Sequence, residues 1–352
     1  MSRGLHILLA GSILLTSSCS GQSGPESRRQ GGLEAGKVIP EVKCASDPSC
    51  TYALYLPAGY REGDSAMVVI AFDPSARGIL PVTRYQSLAG KYGFVLMGSN
   101  DSRNGQQMDA VGRIGEALVS EAKSRFRATP DKIILTGFSG GARVASIIGL
   151  FGEPVKGVIG CGAGFPETEQ QPQFNFDYFV IAGESDPNLS EVIYQDKALT
   201  EAGWKHQLMV IPGGHQWPPA AEMEKAVLWM RGELPPLPRP ALPLEEYYEI
   251  GKEAEQQSLL MTKFLLGDTL WMKKEVQKLR ARAAHPKTRN DSLIAERLIA
   301  FLGIMSWSKS TGQLNQGLLD QAYRSLVIYR IVEPENPAVD SLFNVYYQQR
   351  KR

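Results

Sequence analysis

The sequence predicts an α/β fold, in which a mostly parallel sheet carries helices on both faces, followed by a small all-helical domain. Strand-like and helix-like segments alternate from Tyr52 onward, at a spacing typical of βαβ units. The strand-like segments "AMVVIAF" and "YFVIAG" are nearly continuously apolar, as strands covered on both faces are. The strand signals stop at "LPPLPRPALP", residues 234–243.

Each segment before the prolines is assigned by its periodicity. The strand-like segments are, in chain order, "TYALYLP", "AMVVIAF", "FVLMGSN", "KIILTG", "KGVIGCG", "YFVIAG" and "HQLMVIP". The helix-like segments, in which apolar residues recur every three or four positions, are "PVTRYQSLAGKYG", "DAVGRIGEALVSEAKSRFR", "GARVASIIGLF", "SEVIYQDKALTEAG" and "AAEMEKAVLWMRGE". Together they predict an α/β domain over residues 44–233.

Every segment after the proline-rich stretch has helical periodicity. Five prolines in ten residues cannot continue a helix, so residues 234–243 predict a semi-rigid linker ahead of a helical domain over residues 244–352. One stretch of this domain resembles the second half of a tetratricopeptide repeat. The repeat's small, bulky and terminating positions are held by Ala322, Leu326 and Pro334. No second copy is evident in the sequence, so a regular repeat array is not predicted.

The first residues predict an export signal. Residues 1–19 combine a short basic start, an apolar run from Leu5 to Leu15, and small residues that end at Cys19. The apolar run is too short to span a bilayer as a mature helix. The layout resembles a bacterial lipoprotein signal, in which Cys19 becomes the lipidated first residue; an ordinary cleaved signal is the alternative. We therefore expect a membrane-anchored protein on the periplasmic or cell-surface side, held by a flexible tether over residues 20–43.

The charge and the cysteines narrow the classes of function. A net charge of +1 gives no electrostatic reason to expect nucleic-acid binding. No cluster of metal ligands and no phosphate-binding loop is evident in the sequence, which therefore predicts neither a metal nor another cofactor. Cys44 and Cys50 flank the turn-forming "ASDPS", and in an exported protein we favour a disulfide between them over two free thiols. Cys161 is expected to be a small buried apolar residue.

The segment Gly137-Phe138-Ser139-Gly140-Gly141 follows a predicted strand and opens a predicted helix. This context is typical of a nucleophile elbow, in which glycines permit a sharp, strained turn that presents the serine hydroxyl above the sheet. The alternative is a turn serine that caps the helix. Because strand, turn and helix occur in this order, we expect Ser139 to be a nucleophile.

Ser139 needs a general base, and the chain has only four histidines. His215, in "PGGHQWPP", lies directly after the last predicted strand and is the candidate base. The other histidines lie in the export signal, at the start of a strand and in the helical domain: His6, His206 and His285. The triad acid is expected after the preceding strand, where "YFVIAGESDPN" offers Asp186, with Glu184 as the alternative.

An acyl-transfer site also needs hydrogen-bond donors for the oxyanion. The backbone N–H of Gly140, directly after the nucleophile, is the first candidate. The second is expected in "DPSARG", where Pro74 has no N–H and the candidates are Ser75 and Ala76. We expect the Asp73 carboxylate to turn away from the oxyanion and to accept hydrogen bonds from local backbone amides.

Three stretches, "YALYLPAGY", "TPDKIILTGFSGGARVA" and "GGHQWPP", resemble an α/β-hydrolase. Within that superfamily, residues 52–233 resemble the secreted esterases grouped with polyhydroxybutyrate depolymerases and feruloyl esterases. The resemblance implies that group's fold, and its Ser-Asp-His mechanism for Ser139, Asp186 and His215. In "AFDPSARG" the sequence departs from the histidine-glycine pair that the group usually has in its oxyanion loop.

These observations predict an exported serine hydrolase that cleaves small-molecule or polymer carboxylic esters. A peptidase of the same fold would use the same residues and is one alternative. The other alternative is an inert hydrolase-like lipoprotein whose helical domain binds a protein partner or a glycan. Asp73 and the additional domain are the features that favour this second alternative.

Overall fold

The computed structural model describes residues 29–30, 33–166, 175–238 and 244–351, and the statements below concern this part of the chain. The predicted export signal with Cys19, and residues 239–243 of the predicted linker, lie outside it. The strands are β1 (Arg29–Gln30), β2 (Leu33–Glu34), β3 (Val38–Lys43), β4 (Thr51–Tyr55), β5 (Val68–Phe72), β6 (Val95–Ser99), β7 (Ile133–Phe138), β8 (Gly157–Cys161), β9 (Asp177–Gly183) and β10 (His206–Ile211). The helices are α1 (Ile79–Tyr92), α2 (Met108–Arg125), α3 (Gly140–Phe151), α4 (Leu189–Glu201), α5 (Ala220–Met230), α6 (Leu244–Leu265), α7 (Thr269–Ala284), α8 (Arg289–Asn315), α9 (Leu319–Val332) and α10 (Pro337–Arg350).

Eight of the strands form one sheet, in the order β3-β4-β6-β5-β7-β8-β9-β10. β4 runs antiparallel to both of its neighbours, and the adjacent pairs from β6 to β10 are all parallel. β1 and β2 form a separate two-stranded antiparallel sheet. The structure therefore confirms the predicted fold class, a mostly parallel sheet with helices on both faces, followed by a helical region.

Two apolar layers cover the faces of the sheet. All five residues of β5 are buried, and they alternate between the layers because successive side chains of a strand point to opposite faces. Val68, Ile70 and Phe72 pack in the layer that contains α2, α3 and α4. Val69 and Ala71 pack in the layer that contains α1 and α5. Burial on both faces explains the continuous apolar run of this segment.

Helices α6 to α10 pack around apolar clusters of their own. On α9, Ala322 and Leu326 are fully buried, and the helix ends at Val332, shortly before Pro334. These positions suit the resemblance to a tetratricopeptide repeat, which stays a prediction. None of the helices within the described ranges combines the length and the hydropathy that a membrane span needs.

Two predicted domain boundaries differ from the structure. The predicted tether runs to residue 43, but Val38–Lys43 form an edge strand of the sheet, paired with β4. The difference arises because Val42 is buried in the core and backbone pairing satisfies the polar groups of the strand. The predicted linker begins at residue 234, but Leu234 and Leu237 pack against the core of the α/β region. The Leu237 N–H also donates to Gln207 Oε1 at 2.9 Å.

The predicted disulfide is not formed, and Cys44 and Cys50 are both free. The Cys50 thiol donates to Asp47 Oδ2 at 3.5 Å, and Arg113 donates to Cys50 Sγ at 3.2 Å, so this thiol has polar partners within the turn. Burial is the largest cause that raises the pKa of Cys44 to about 12, which keeps it protonated. Burial also raises the pKa of Cys161 to about 12, in agreement with an unreactive buried residue.

Candidate active site

The turn between β7 and α3 holds Ser139 in a conformation that serine rarely adopts. Its φ is 54° and its ψ is −121°, in a region that is unfavourable for residues with a Cβ. The Ser139 N–H donates to Cys161 O at 2.8 Å, which ties the turn to β8. The Ser139 side chain makes no capping hydrogen bond, although the residue occupies the N-cap position of α3. The structure thus contradicts a capping serine, and the strained turn has the form of the predicted elbow.

This turn requires glycine at positions 137 and 141, because neither position has room for a side chain. A Cβ on Gly137 would lie 2.1 Å from Gly141 O, and a Cβ on Gly141 would lie 2.0 Å from Phe72 O. Both neighbours are backbone atoms, which cannot move aside without disturbing β5 or α3. The elbow therefore depends on the close approach of three backbone segments.

We expect Gly141→Ala to lower the free energy of unfolding by about 3 kcal/mol, because its methyl group overlaps the Phe72 carbonyl. Gly112→Ala is the matched control, since Gly112 is exposed inside α2 and a Cβ there meets nothing within 4 Å. The control should be neutral or stabilising by up to about 1 kcal/mol. Urea unfolding measures both variants, and equal stability of the two would contradict this explanation of the elbow.

The three residues of the predicted triad lie together at the carboxyl edge of the sheet. Ser139 follows β7, Asp186 follows β9 and His215 follows β10. His215 Nε2 lies 2.8 Å from Ser139 Oγ, and His215 Nδ1 lies 3.0 Å from each carboxylate oxygen of Asp186. A neutral imidazole has one donor and one acceptor nitrogen. The partners therefore assign the proton to Nδ1, which donates to Asp186, and leave Nε2 to accept from the serine hydroxyl.

Burial differs along this line of hydrogen bonds. The Asp186 side chain is 1% exposed, whereas that of His215 is 12% exposed. Asp186 Oδ1 also accepts from the Asn188 N–H at 2.9 Å, so the carboxylate is held from two directions. Glu184, the alternative acid, instead forms an ion pair with Arg289 at 2.6 Å. The geometry thus selects Asp186 as the partner of the imidazole.

The other described histidines lie away from the elbow. His206 lies at the amino end of β10, whereas the elbow lies at the carboxyl ends of the strands. Its Nδ1 lies 2.7 Å from Trp204 O. His285 lies at the end of α7 in the helical region. Within the described ranges, no group of three or more His, Cys, Asp and Glu side chains is arranged to hold a metal ion.

Sequence reasoning missed Gly162, which leaves room for Asp186 and His215 of the predicted triad. It follows β8 with a φ of +65°, and a Cβ there would lie 2.9 Å from Asp186 Oδ2 and 3.2 Å from His215 Nδ1. Phe138 packs on the imidazole, with ring centroids 4.6 Å apart. The glycines of "GCGAG" are the only sequence signal for this position. They do not reveal the contact, which forms between β8 and two loops distant in the chain.

The buried Asp73 carboxylate has local partners. It accepts from Arg77 Nε and Nη2 at 2.9 and 3.1 Å, and from Trp217 Nε1 at 3.1 Å. As predicted for local backbone amides, it also accepts from the Ser75 N–H, at 3.0 Å. This bond contradicts the prediction that the Ser75 N–H is an oxyanion donor, because Asp73 already binds it. The Ala76 N–H is bound as well, to Asp73 O at 3.2 Å.

Two polar groups lie at the elbow: the backbone N–H of Gly140 and the side-chain carboxamide of Asn104. Gly140 is the first residue of α3, where a helix leaves its N–H groups without intrahelical partners. Asn104 lies in the loop after β6, which is fixed to the loop after β5 by the Asn104 N–H donating to Pro74 O at 2.9 Å. The Asn104 carboxamide reaches the elbow, with Oδ1 1.7 Å and Nδ2 3.1 Å from where a Cβ on Gly140 would lie. Sequence reasoning missed Asn104 because no local motif marks it.

Comparison with known proteins finds similar solved structures only. No protein-family profile and no curated protein matches the chain. A carboxylesterase from Bacillus cereus is 18% identical, with a TM-score of 0.40, over 54% of this chain and 97% of that protein. Fluorophosphonate-binding serine hydrolase F of Staphylococcus aureus is 13% identical, with a TM-score of 0.45, over 56% and 98% of the two chains. An esterase from Pyrobaculum calidifontis is 13% identical, with a TM-score of 0.44, over 56% and 86%. The strand order and the elbow of this chain, rather than these low identities, carry the assignment of an α/β-hydrolase fold.

Proposed function

We propose that the protein is a serine hydrolase that cleaves carboxylic esters through an acyl-enzyme. The observation that carries this proposal is the line of hydrogen bonds from Ser139 Oγ through His215 to the buried Asp186 carboxylate. A serine hydroxyl is a weak nucleophile unless a base removes its proton, and this line supplies the base. The strained backbone of Ser139 is a second support, because such strain is concentrated at functional sites.

In the acylation step, Ser139 Oγ attacks the ester carbonyl carbon while His215 Nε2 takes the hydroxyl proton. Asp186 accepts from the Nδ1–H and stabilises the imidazolium ion that forms. The tetrahedral intermediate then collapses, the bond to the alcohol oxygen breaks, and the imidazolium gives its proton to the departing alcohol. In the deacylation step, His215 takes a proton from the water that attacks the acyl carbon. The bond from that carbon to Ser139 Oγ then breaks, the imidazolium returns the proton to Oγ, and the acid is released.

In this proposal, the Gly140 N–H and the side-chain amide of Asn104 stabilise the oxyanion. The Ser75 and Ala76 N–H groups are bound to Asp73, whereas the Asn104 carboxamide lies against Gly140. Rotation of the terminal amide exchanges its oxygen and nitrogen, so that Nδ2 can face the reacting carbonyl oxygen. Two donors then converge on the place where negative charge develops.

We expect Asn104→Ala to lower kcat by about 100-fold with little change in KM, because an oxyanion donor acts mainly in the transition state. Arg103→Ala is the matched control, since Arg103 is an exposed neighbour in the same loop. It should keep kcat within about threefold of the wild type. Steady-state kinetics with p-nitrophenyl butyrate compare the two. A loss confined to KM, or equal losses in both variants, would contradict the role of Asn104.

Assays of the wild-type chain with three reagents distinguish the proposed esterase from its two alternatives. Turnover of p-nitrophenyl esters, without cleavage of peptide p-nitroanilides, supports the esterase. Cleavage of the anilides supports a peptidase of the same fold. Inertness towards both substrates and towards a fluorophosphonate supports a hydrolase-like scaffold. The negative charge of Asp73 would repel an oxyanion nearby, and its ion pair with Arg77 offsets that charge. This ion pair therefore favours an active enzyme.

We also propose that the chain is exported and lipid-anchored at Cys19, so that the α/β region meets its ester substrate on the periplasmic or cell-surface side. The support is the layout of residues 1–19, with its basic start, short apolar run and small residues before the cysteine. Small esters and polymer esters are both consistent with this placement.

A further inference from the structure

The loop that carries Asp186 is bonded to the C-terminal helices on both sides of that residue. We call residues 184–187 the acid loop. The bonds are Arg297 Nη1 to Glu184 O at 2.8 Å, Arg289 Nη2 to Glu184 Oε2 at 2.6 Å, Ser185 Oγ to Glu296 Oε2 at 2.7 Å and Gln257 Nε2 to Pro187 O at 3.0 Å. Every residue of the acid loop other than Asp186 itself therefore contacts α6 or α8.

Arg297 is the buried member of this set. Its side chain is 5% exposed, and its partner Glu253 on α6 is fully buried. Arg297 donates to the two Glu253 oxygens from Nε at 2.9 and 3.0 Å, and from Nη2 at 2.7 Å. The remaining nitrogen, Nη1, donates to Glu184 O. Because the guanidinium is planar and rigid, Glu253 orients Arg297 and Arg297 in turn orients the acid loop.

Stability alone does not explain a buried ion pair at this place. The cost of desolvating two charges offsets most of their attraction, and an apolar pair of similar volume would join α6 to α8 at least as well. An apolar pair, however, offers no donor to the Glu184 carbonyl. What Arg297 and Glu253 add is a hydrogen bond of fixed direction to the residue two positions before Asp186.

Resting on the proposed function, we propose that the C-terminal helices position the triad, with Arg297 holding the acid loop so that Asp186 stays against His215. On the sheet side, the loop is tied by the Ser185 N–H to Gly213 O at 2.9 Å, within the segment that leads to His215. Arg297 supplies the fixed point on the opposite side. The helical region is then part of the catalytic unit, in contrast to a separate module that binds a partner or glycan.

The test compares Arg297→Met with Arg330→Met in the full chain. Both variants remove an arginine from an ion pair of the helical region, and Arg330 pairs with Asp340 on α10, away from the acid loop. We expect Arg297→Met to slow fluorophosphonate labelling of Ser139, and to lower kcat for p-nitrophenyl butyrate, by about 10- to 100-fold at unchanged KM, because small displacements of catalytic groups cost this much. Arg330→Met should stay within about threefold of the wild type.

An Asp186→Ala background separates positioning from a general structural effect. If Arg297 acts through Asp186, then Arg297→Met should slow labelling less than about threefold in a chain that already lacks the carboxylate. A loss in this background as large as that in the wild type would overturn the proposal. Wild-type rates in Arg297→Met would overturn it as well.

A second variant keeps the proposal testable if Arg297→Met does not fold. Ser185→Ala combined with Gln257→Ala removes two of the bonds to the acid loop and leaves the buried ion pair intact. We expect about a three- to tenfold slower labelling that disappears in the Asp186→Ala background; wild-type rates would overturn the proposal. Failure of the proposed function is distinct, since the wild-type chain itself would then show no labelling that depends on Ser139.

Discussion

Replacing Ser139 with alanine is expected to lower kcat for p-nitrophenyl butyrate by about 10⁵-fold or more. The substitution removes the hydroxyl that bonds to His215 Nε2 but keeps a Cβ, so the strain at a φ of 54° is unchanged. The variant should therefore unfold at nearly the same temperature as the wild type. Steady-state kinetics and thermal unfolding of the same preparation measure both quantities.

Ser146→Ala is the matched control for this substitution. Ser146 lies on the same helix, α3, and its side chain is fully buried in the protein. The control should keep kcat within about threefold of the wild type. Turnover retained by Ser139→Ala would contradict the nucleophile assignment, and equal losses in both variants would mean that the effect is structural.

Replacing Asp186 with asparagine is expected to lower kcat by about 10⁴-fold. Asparagine has nearly the same shape, but its neutral amide does not stabilise the imidazolium ion that, in the proposed mechanism, forms when His215 takes the proton of Ser139. If the amide NH2 faces the ring, Nδ1 becomes the acceptor, and Nε2 carries the proton and no longer accepts from the serine. Steady-state kinetics measure the loss, which should fall on kcat rather than on KM.

Glu184→Gln tests whether the acid was chosen correctly between two carboxylates separated by one residue. A glutamine at this position still accepts from Arg289, which forms the ion pair with the Glu184 carboxylate. We therefore expect a loss of less than about tenfold, far smaller than that of Asp186→Asn. Equal losses in the two variants would contradict the choice of Asp186.

The fold and the central part of the site follow from local patterns in the sequence. The elbow is local, because the strand, the glycines around Ser139 and the helix are contiguous. Chain order predicts His215 and Asp186, since the carboxyl ends of adjacent parallel strands meet at one edge of the sheet. Both faces of the sheet are buried, so every residue of β5 is apolar. This continuous apolar run predicts the strand.

What the sequence did not predict depends on contacts between distant segments. Its place in the chain predicts the Ser75 N–H as an oxyanion donor, but the side chain of Asp73 binds this N–H. Asn104 reaches Gly140 only because the loops after β5 and β6 join. The bond between Arg297 and the acid loop crosses 113 positions, and no periodicity marks such a pair.

The position of a fluorophosphonate adduct on the wild-type chain tests most directly the claim that Ser139 is the nucleophile. The probe reacts with a serine that a neighbouring base activates, and mass spectrometry of the tryptic peptides locates the phosphonyl group. We predict a single adduct on the peptide spanning residues 133–143, at Ser139, and its loss in Ser139→Ala. An unlabelled wild-type chain, or an adduct on any other residue, would contradict the claim.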